Sequence, residues 1–201
     1  MSLKHYLFLG DSITDAGHLW EADPRMLGDG FIRKISESTA FSSAHLVNRG
    51  QDGFTSAALL RLVRRMTDLD TFTTITVLIG VNDLPVAFYT DPTWIRTTFA
   101  PSVQALFELL TSAGSKKLLI MEPFLFTPPD SHSHLLPLLL EEQKILKTCC
   151  STYDAVYIPL QKPLTEAADH LGTTAVTTDG IHLTPTGSQI LADTWIRHCL
   201  Q

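Results

Sequence analysis

Basic residues are scarce in this chain. Fifteen Lys and Arg stand against 21 Asp and Glu in 201 residues, a formal net charge of −6. Binding to a phosphate backbone draws on clustered cations that release counterions, so nucleic acid is not expected as a partner. The nearest thing to a basic run, Arg61, Arg64 and Arg65, has helical spacing and reads as a solvated helix face. Long apolar runs are lacking too. The first ten residues hold only a handful of apolar side chains before a polar turn, too few for a signal-peptide core or a membrane span, so neither export nor a membrane partner is expected. The three cysteines, two of them adjacent at Cys149 and Cys150, supply neither a disulfide framework nor a C-x-x-C metal spacing. They fit packing roles and a reducing cytoplasm. There is no internal repeat, low-complexity tract or Pro/Gly/Ser linker, so residues 1–201 are expected to form one domain. The sequence leaves a homo-oligomer open.

What is present is a core and an alternation. Hydrophobic residues make up 44% and charged ones 18%, a globular composition in a chain long enough to bury a substantial core. Short apolar runs at 6–9, 45–47, 74–79, 118–121 and 155–158 have strand length and end at Gly, Asn or Pro. Between them, helical patterning predicts helices over 31–39, 56–67, 92–113 and 136–152. A last helix, 184–198, opens at Thr184-Pro185, a cap followed by a residue suited to the first turn. Alternating strands and helices predict an α/β three-layer sandwich: a five-stranded parallel sheet, flavodoxin-like, with helices on both faces. In such sheets ligands bind beyond the carboxyl ends of the strands, which directs attention to the loops there.

The first strand runs into Gly10-Asp11-Ser12, placing a hydroxyl on the turn just past it. A serine nucleophile needs a base, and no G-x-S-x-G elbow exists to supply the usual α/β-hydrolase arrangement. Near the other end, Asp179 and His182 are three residues apart just before the last helix. In a tight turn the carboxylate can orient the imidazole and stabilise the imidazolium that forms when it takes the serine proton. An oxyanion needs donors. Residues 48–53 include Gly50 and Gly53, where a backbone N–H can be presented with no side chain in the way. After the third strand, Gly80-Val81-Asn82-Asp83 offers a side-chain amide. Each block alone also reads as an ordinary turn. Together they supply nucleophile, donors, acid and base in loops that follow strands.

The combination resembles the SGNH hydrolases, or GDSL esterase/lipase family. Ser12 stands in the Gly-Asp-Ser block, Gly53 at the second-block glycine with Gly50 as the fallback, Asn82 in the Gly-x-Asn-Asp block, and Asp179 with His182 in the Asp-x-x-His block. A narrower resemblance is to bacterial carbohydrate acetylesterases, including acetylxylan esterases. It is carried by residues 10–15, by Leu27-Gly28-Asp29-Gly30-Phe31 and by Met121-Glu122-Pro123-Phe124.

The resemblance implies a serine esterase that works through an acyl-enzyme, with Ser12, Asp179 and His182 catalytic and with Ser12, Gly53 and Asn82 holding the oxyanion. It implies no metal and no organic cofactor. The expected substrate is a small-molecule ester, such as an acetylated oligosaccharide; lysophospholipase, thioesterase and arylesterase activities use similar frameworks. Asp11, Trp20 and Trp94 are candidate substrate contacts, although either tryptophan could equally cover core; Trp195, inside the last helix, reads as packing. The Pro-rich connection 124–137 is a candidate substrate loop. Its His132 and His134 alternate as metal ligands can, but without further ligands nearby. Two other classes remain as rivals. A metal-dependent phosphoesterase would gather Asp11, Asp15, Asn82, Asp83 and His182 around metal ions, although its Asp-x-His opening is missing. A non-catalytic carbohydrate-binding protein would keep the fold alone.

Overall fold

The computed structural model describes residues 4–23, 26–114, 117–127 and 130–201. Five strands, β1 (His5–Gly10), β2 (His45–Gly50), β3 (Thr74–Leu78), β4 (Lys117–Met121) and β5 (Val156–Ile158), form one all-parallel sheet in the order β2-β1-β3-β4-β5. All five lie where the apolar runs place them. In the centre, β3 is buried at every residue, as a parallel strand covered on both faces must be.

The helices are α1 (Ser12–Asp15), α2 (Phe31–Glu37), α3 (Ser56–Val63), α4 (Asp83–Tyr89), α5 (Ala100–Ser112), α6 (Leu136–Tyr153), α7 (Gln161–Leu171), α8 (Thr173–Val176) and α9 (Pro185–Cys199). The pleat sends alternate side chains of β1 to opposite faces and so builds two cores. Tyr6 and Phe8 pack with Phe31, Ile35 and Trp195 beneath α2 and α9. Leu7 and Leu9 pack with Leu59, Phe99 and Phe107 beneath α3 and α5. Trp195 is wholly buried, and its indole donates to Thr76 Oγ1 at 3.0 Å, so its polar edge is satisfied inside the core.

Four helices go beyond the predicted set. α1 is a single turn, α4 grows directly out of the Asn82 block, and α7 starts with no side-chain cap at Leu160. Apart from the Asp11 cap of α1, none of the four, α8 included, has a side-chain cap at its start, the signal from which a helix is read in a sequence. The predicted helix 92–113 is observed as a π-helical turn, Ile95–Phe99, running into α5. No helix among the described residues is long and apolar enough to cross a membrane.

The strand order decides where a site can form. The chain goes from β1 to its neighbour β2, then crosses back to β3 on the other side of β1. Connections therefore diverge between β1 and β3, opening a crevice at the carboxyl ends of the strands. The loops that follow β1, β2 and β3 all border it.

Candidate active site

Ser12 is the first residue of α1, immediately past β1. Asp11 caps that helix, its carboxylate accepting from the Ile13 amide at 3.0 Å. The turn is clamped from β2. The Asn48 side-chain amide donates to the carbonyls of Thr14 (2.8 Å) and Leu27 (2.9 Å), while its oxygen accepts from Gly50 N at 2.9 Å. A Cβ on Gly50 would lie 2.2 Å from Asp15 N, so β2 can press this close only through a glycine. The result is a serine on a rigid mount.

His182 Nε2 lies 3.0 Å from Ser12 Oγ, and His182 Nδ1 lies 2.7 Å from Asp179 Oδ2. With the proton on Nδ1 facing Asp179, Nε2 is left to accept from the serine hydroxyl. The other Asp179 oxygen accepts from the backbone amides of Ile181 (2.9 Å) and His182 (2.7 Å). Partial burial pushes the Asp179 carboxyl up. The His182 ring and these two amides outweigh that and hold it below the ordinary carboxylate range. Both side chains are about half exposed, at 50% for Asp179 and 49% for His182, so the chain of hydrogen bonds is open to a ligand.

A short antiparallel bridge, Thr177 to Leu183, closes the base of this loop. Its tip is tied to the connection after β4: Phe126 N donates to the Gly180 carbonyl at 2.9 Å, and His132 packs on Gly180. Residues 128–129 of that connection lie outside the described residues. Thr184 caps α9 as predicted, accepting from Gly187 N at 3.2 Å.

Asn82 Nδ2 donates to the Phe54 carbonyl at 3.0 Å, which draws the loop after β3 against the loop after β2. One N–H of the amide is used in this bond, and the amide has two. Gly53, next to Phe54, has φ +70° with open space where a Cβ would be. Its backbone conformation, not crowding, asks for glycine there. Asp83 anchors the turn from below. It is wholly buried and accepts from Ser56 N (2.8 Å), Ser56 Oγ (2.8 Å) and Trp94 Nε1 (2.7 Å). Burial raises its carboxyl, and the Trp94 and Ser56 donors counter that.

A family model for the GDSL-like lipases/acylhydrolases matches residues 8–190, a span that includes every block described. The chain belongs to the GDSL-like lipase/acylhydrolase family. It is a carboxylic ester hydrolase. No curated protein sequence matches it. Solved structures that share the fold include a GDSL-like lipase from Parabacteroides merdae (23% identity, TM-score 0.81, 98% of this chain and 97% of that one); a variant of Axe2, an acetyl xylan esterase from Geobacillus stearothermophilus (19%, 0.80, 98% and 96%); and LAE5, an α/β hydrolase from the metagenome of Lake Arreo (20%, 0.80, 98% and 96%).

Within this hydrolase the remaining predicted residues take various places. Asp11 is buried in its cap, its carboxyl pushed up to about 7 chiefly by burial, with Asp83 adding to the rise while Ile13 N and His182 oppose it. Trp94 turns its indole N–H to Asp83. Trp20, 89% exposed, ends the 3-10 turn His18–Trp20 and does not line the pocket at Ser12. That pocket, about 290 Å³, is lined by Ile13, Ala16, Asp29, Phe31 and Leu183 beside Ser12 and His182, so the turn at 27–31 forms part of its wall. His132 faces the Phe126 carbonyl at 3.3 Å and His134 faces Tyr89 Oη at 3.0 Å. Nothing in the sequence marks Ser56, the clamping role of Asn48, or the surface cluster in which the exposed rings of Phe88 and Tyr89 meet His134, whose ring lies 4.2 Å from that of Phe88.

Proposed function

We propose that this enzyme is a serine esterase that removes short acyl groups, acetyl above all, from a carbohydrate or other small alcohol through an acyl-enzyme. The observation that carries the reading is the unbroken chain Asp179, His182, Ser12, at 2.7 and 3.0 Å, beside a turn in which Asn82 is fastened to the Gly53 loop.

In this reading His182 takes the Ser12 proton as Oγ attacks the acyl carbon, and Asp179 stabilises the imidazolium. The developing oxyanion is held by the Ser12 and Gly53 amides and by the second N–H of Asn82. His182 then protonates the leaving alcohol. Water, activated by the same imidazole, releases the acid and regenerates the serine. No step uses a metal or organic cofactor.

The short-acyl preference is supported by the modest size and mixed lining of the pocket at Ser12. It is supported also by the fold shared with a protein described as an acetyl xylan esterase. For the alcohol, the exposed rings of Phe88 and Tyr89 lie at the end of α4, which begins directly after Asn82. They offer a sugar ring an apolar face, with Tyr89 and His134 as polar partners at its rim. The cytoplasmic assignment rests on free thiols at Cys149, Cys150 and Cys199, which suit a reducing compartment.

The test is kinetic. Ser12→Ala is expected to abolish hydrolysis of an activated acetyl ester, and an acyl-chain series to peak at two carbons. Unchanged hydrolysis in Ser12→Ala would remove the mechanism; an optimum at eight carbons or longer would remove the acetylesterase reading.

A further inference from the structure

Behind the Asn82 turn lies a carboxyl that the chemistry above does not use. Glu142 stands on α6, wholly buried, and neither of its oxygens has a hydrogen-bond partner among the described residues. The neighbouring buried acids are different. Asp83 has three donors and Asp11 has the Ile13 amide, while Glu122 accepts from Tyr157 Oη (2.9 Å), Leu160 N (2.9 Å) and Gln161 N (2.8 Å). Burying a charge with no donor is far more costly than burying a neutral acid, so Glu142 keeps its proton.

Its position is specific. A Cβ built on Gly80, two residues before Asn82, would lie 2.6 Å from Glu142 Oε2. Gly80 sits at φ +139° and its carbonyl accepts from Asp83 N at 2.7 Å, closing the turn that carries Asn82. The glycine therefore gives up the space that the acid fills, and its Cα–H meets a carboxyl oxygen.

We propose that Glu142 is a positioning residue for the oxyanion side of the site: a neutral acid seated against Gly80 that sets the Gly80–Asn82 turn and must remain neutral for the enzyme to turn over. The inference rests on the reading of Asn82 as an oxyanion donor. Its physical content is shape and charge. Truncating the side chain leaves a void directly behind the turn, and the amide of Asn82 loses its setting. Ionising it adds a negative charge behind a turn whose front stabilises negative charge. Among the described residues, the titratable groups acting on Glu142 are acidic: Asp83 at the start of α4, Glu141 on its own helix and Asp11 just past β1. They reinforce burial in keeping the acid protonated, and they make its loss of a proton the more disruptive.

The experiment compares wild type, Glu142→Gln and Glu142→Ala on a small activated acetyl ester from neutral to alkaline pH. It is joined by an infrared difference spectrum of wild type minus Glu142→Gln at neutral pH. The expected result is a protonated-carboxyl stretch in the difference spectrum. Glu142→Ala loses on the order of tenfold in kcat at little-changed KM, a sub-ångström misplacement of a donor being enough for that. Glu142→Gln restores most of that loss and lacks the alkaline fall in kcat that wild type shows. Should Glu142→Ala not fold, the glutamine pH profile and the infrared band decide alone. A glutamine profile that superimposes on wild type, or a difference spectrum with no protonated carboxyl, overturns the proposal. If the esterase reading itself is wrong, wild type shows no Ser12-dependent hydrolysis, and the infrared band still reports on Glu142.

Discussion

The side-chain amide of Asn82 donates to the Phe54 carbonyl at 3.0 Å, and this one bond joins the loop after β3 to the loop after β2. It holds Asn82 next to the Gly53 loop. Asn82→Ala removes both the tie and the proposed oxyanion donor. The expected loss is about 10²–10³ in kcat with a much smaller change in KM, the pattern of a contact made chiefly in the transition state. Steady-state kinetics on an activated acetyl ester checks it, and a loss confined to KM would count against the role.

Trp94 supports that turn through Asp83. Trp94→Phe keeps most of the ring and takes one donor from a wholly buried carboxylate. The expected cost is about 1–3 kcal/mol of unfolding free energy, read by denaturant titration, because the acid is left short of a partner. A fall in kcat should accompany it. Full stability would mean that the Ser56 bonds suffice.

The exposed rings at the end of α4 yield a prediction about selectivity. Tyr89→Ala is expected to raise KM for an acetylated xylo-oligosaccharide several-fold. It should leave kcat/KM for a small activated acetyl ester near wild type, since that substrate has no sugar ring to lay on the patch. Parallel changes on both substrates would place the alcohol elsewhere.

Asp11 makes stability depend on pH in a definite direction. Its carboxyl, about 7 in the folded chain against 3.8 as an ordinary aspartate, binds a proton more tightly folded than unfolded. Between those two values the folded state holds more protons, so this group's contribution is fully present below the unfolded value and is lost as pH rises toward 7. The steepest slope approaches about 1.4 kcal/mol per pH unit. Asp11→Asn keeps an oxygen for the Ile13 cap and removes the titration. Its unfolding free energy should fall less than that of wild type over this range, measured by denaturant midpoints; equal slopes would contradict the assignment.

The fold was legible because β-strands buried on two faces are written as plain apolar runs. The run ending at Gly10 and the fully buried Thr74–Leu78 carry no ambiguity of period, and Thr184-Pro185 marks the start of the last helix outright. α4 and α7 were not legible. Their ends are set by tertiary contacts instead of caps, Asn82 being held by Phe54 and the chain before α7 by Glu122, which accepts from the Leu160 and Gln161 amides. The same division runs through the site. Ser12, Gly53, Asn82, Asp179 and His182 each stand in a short recognisable block; the folded chain joins Ser12, His182 and Asp179 by hydrogen bonds and ties Asn82 to Phe54, next to Gly53. Ser56 and Glu142, and the clamping role of Asn48 in the second block, are not legible in the sequence because their significance lies wholly in what they touch across the fold. No local spacing encodes that Asn48 reaches Thr14, or that a glutamate on α6 meets Gly80.

The central claim is that Ser12 is the nucleophile, and a serine-directed organophosphate tests it most directly. After inactivation, peptide mass mapping should place one phosphoryl adduct on Ser12, with hydrolysis lost in proportion to labelling and labelling strongly slowed in His182→Ala. Full activity after treatment, or an adduct on any residue other than Ser12, would contradict the account.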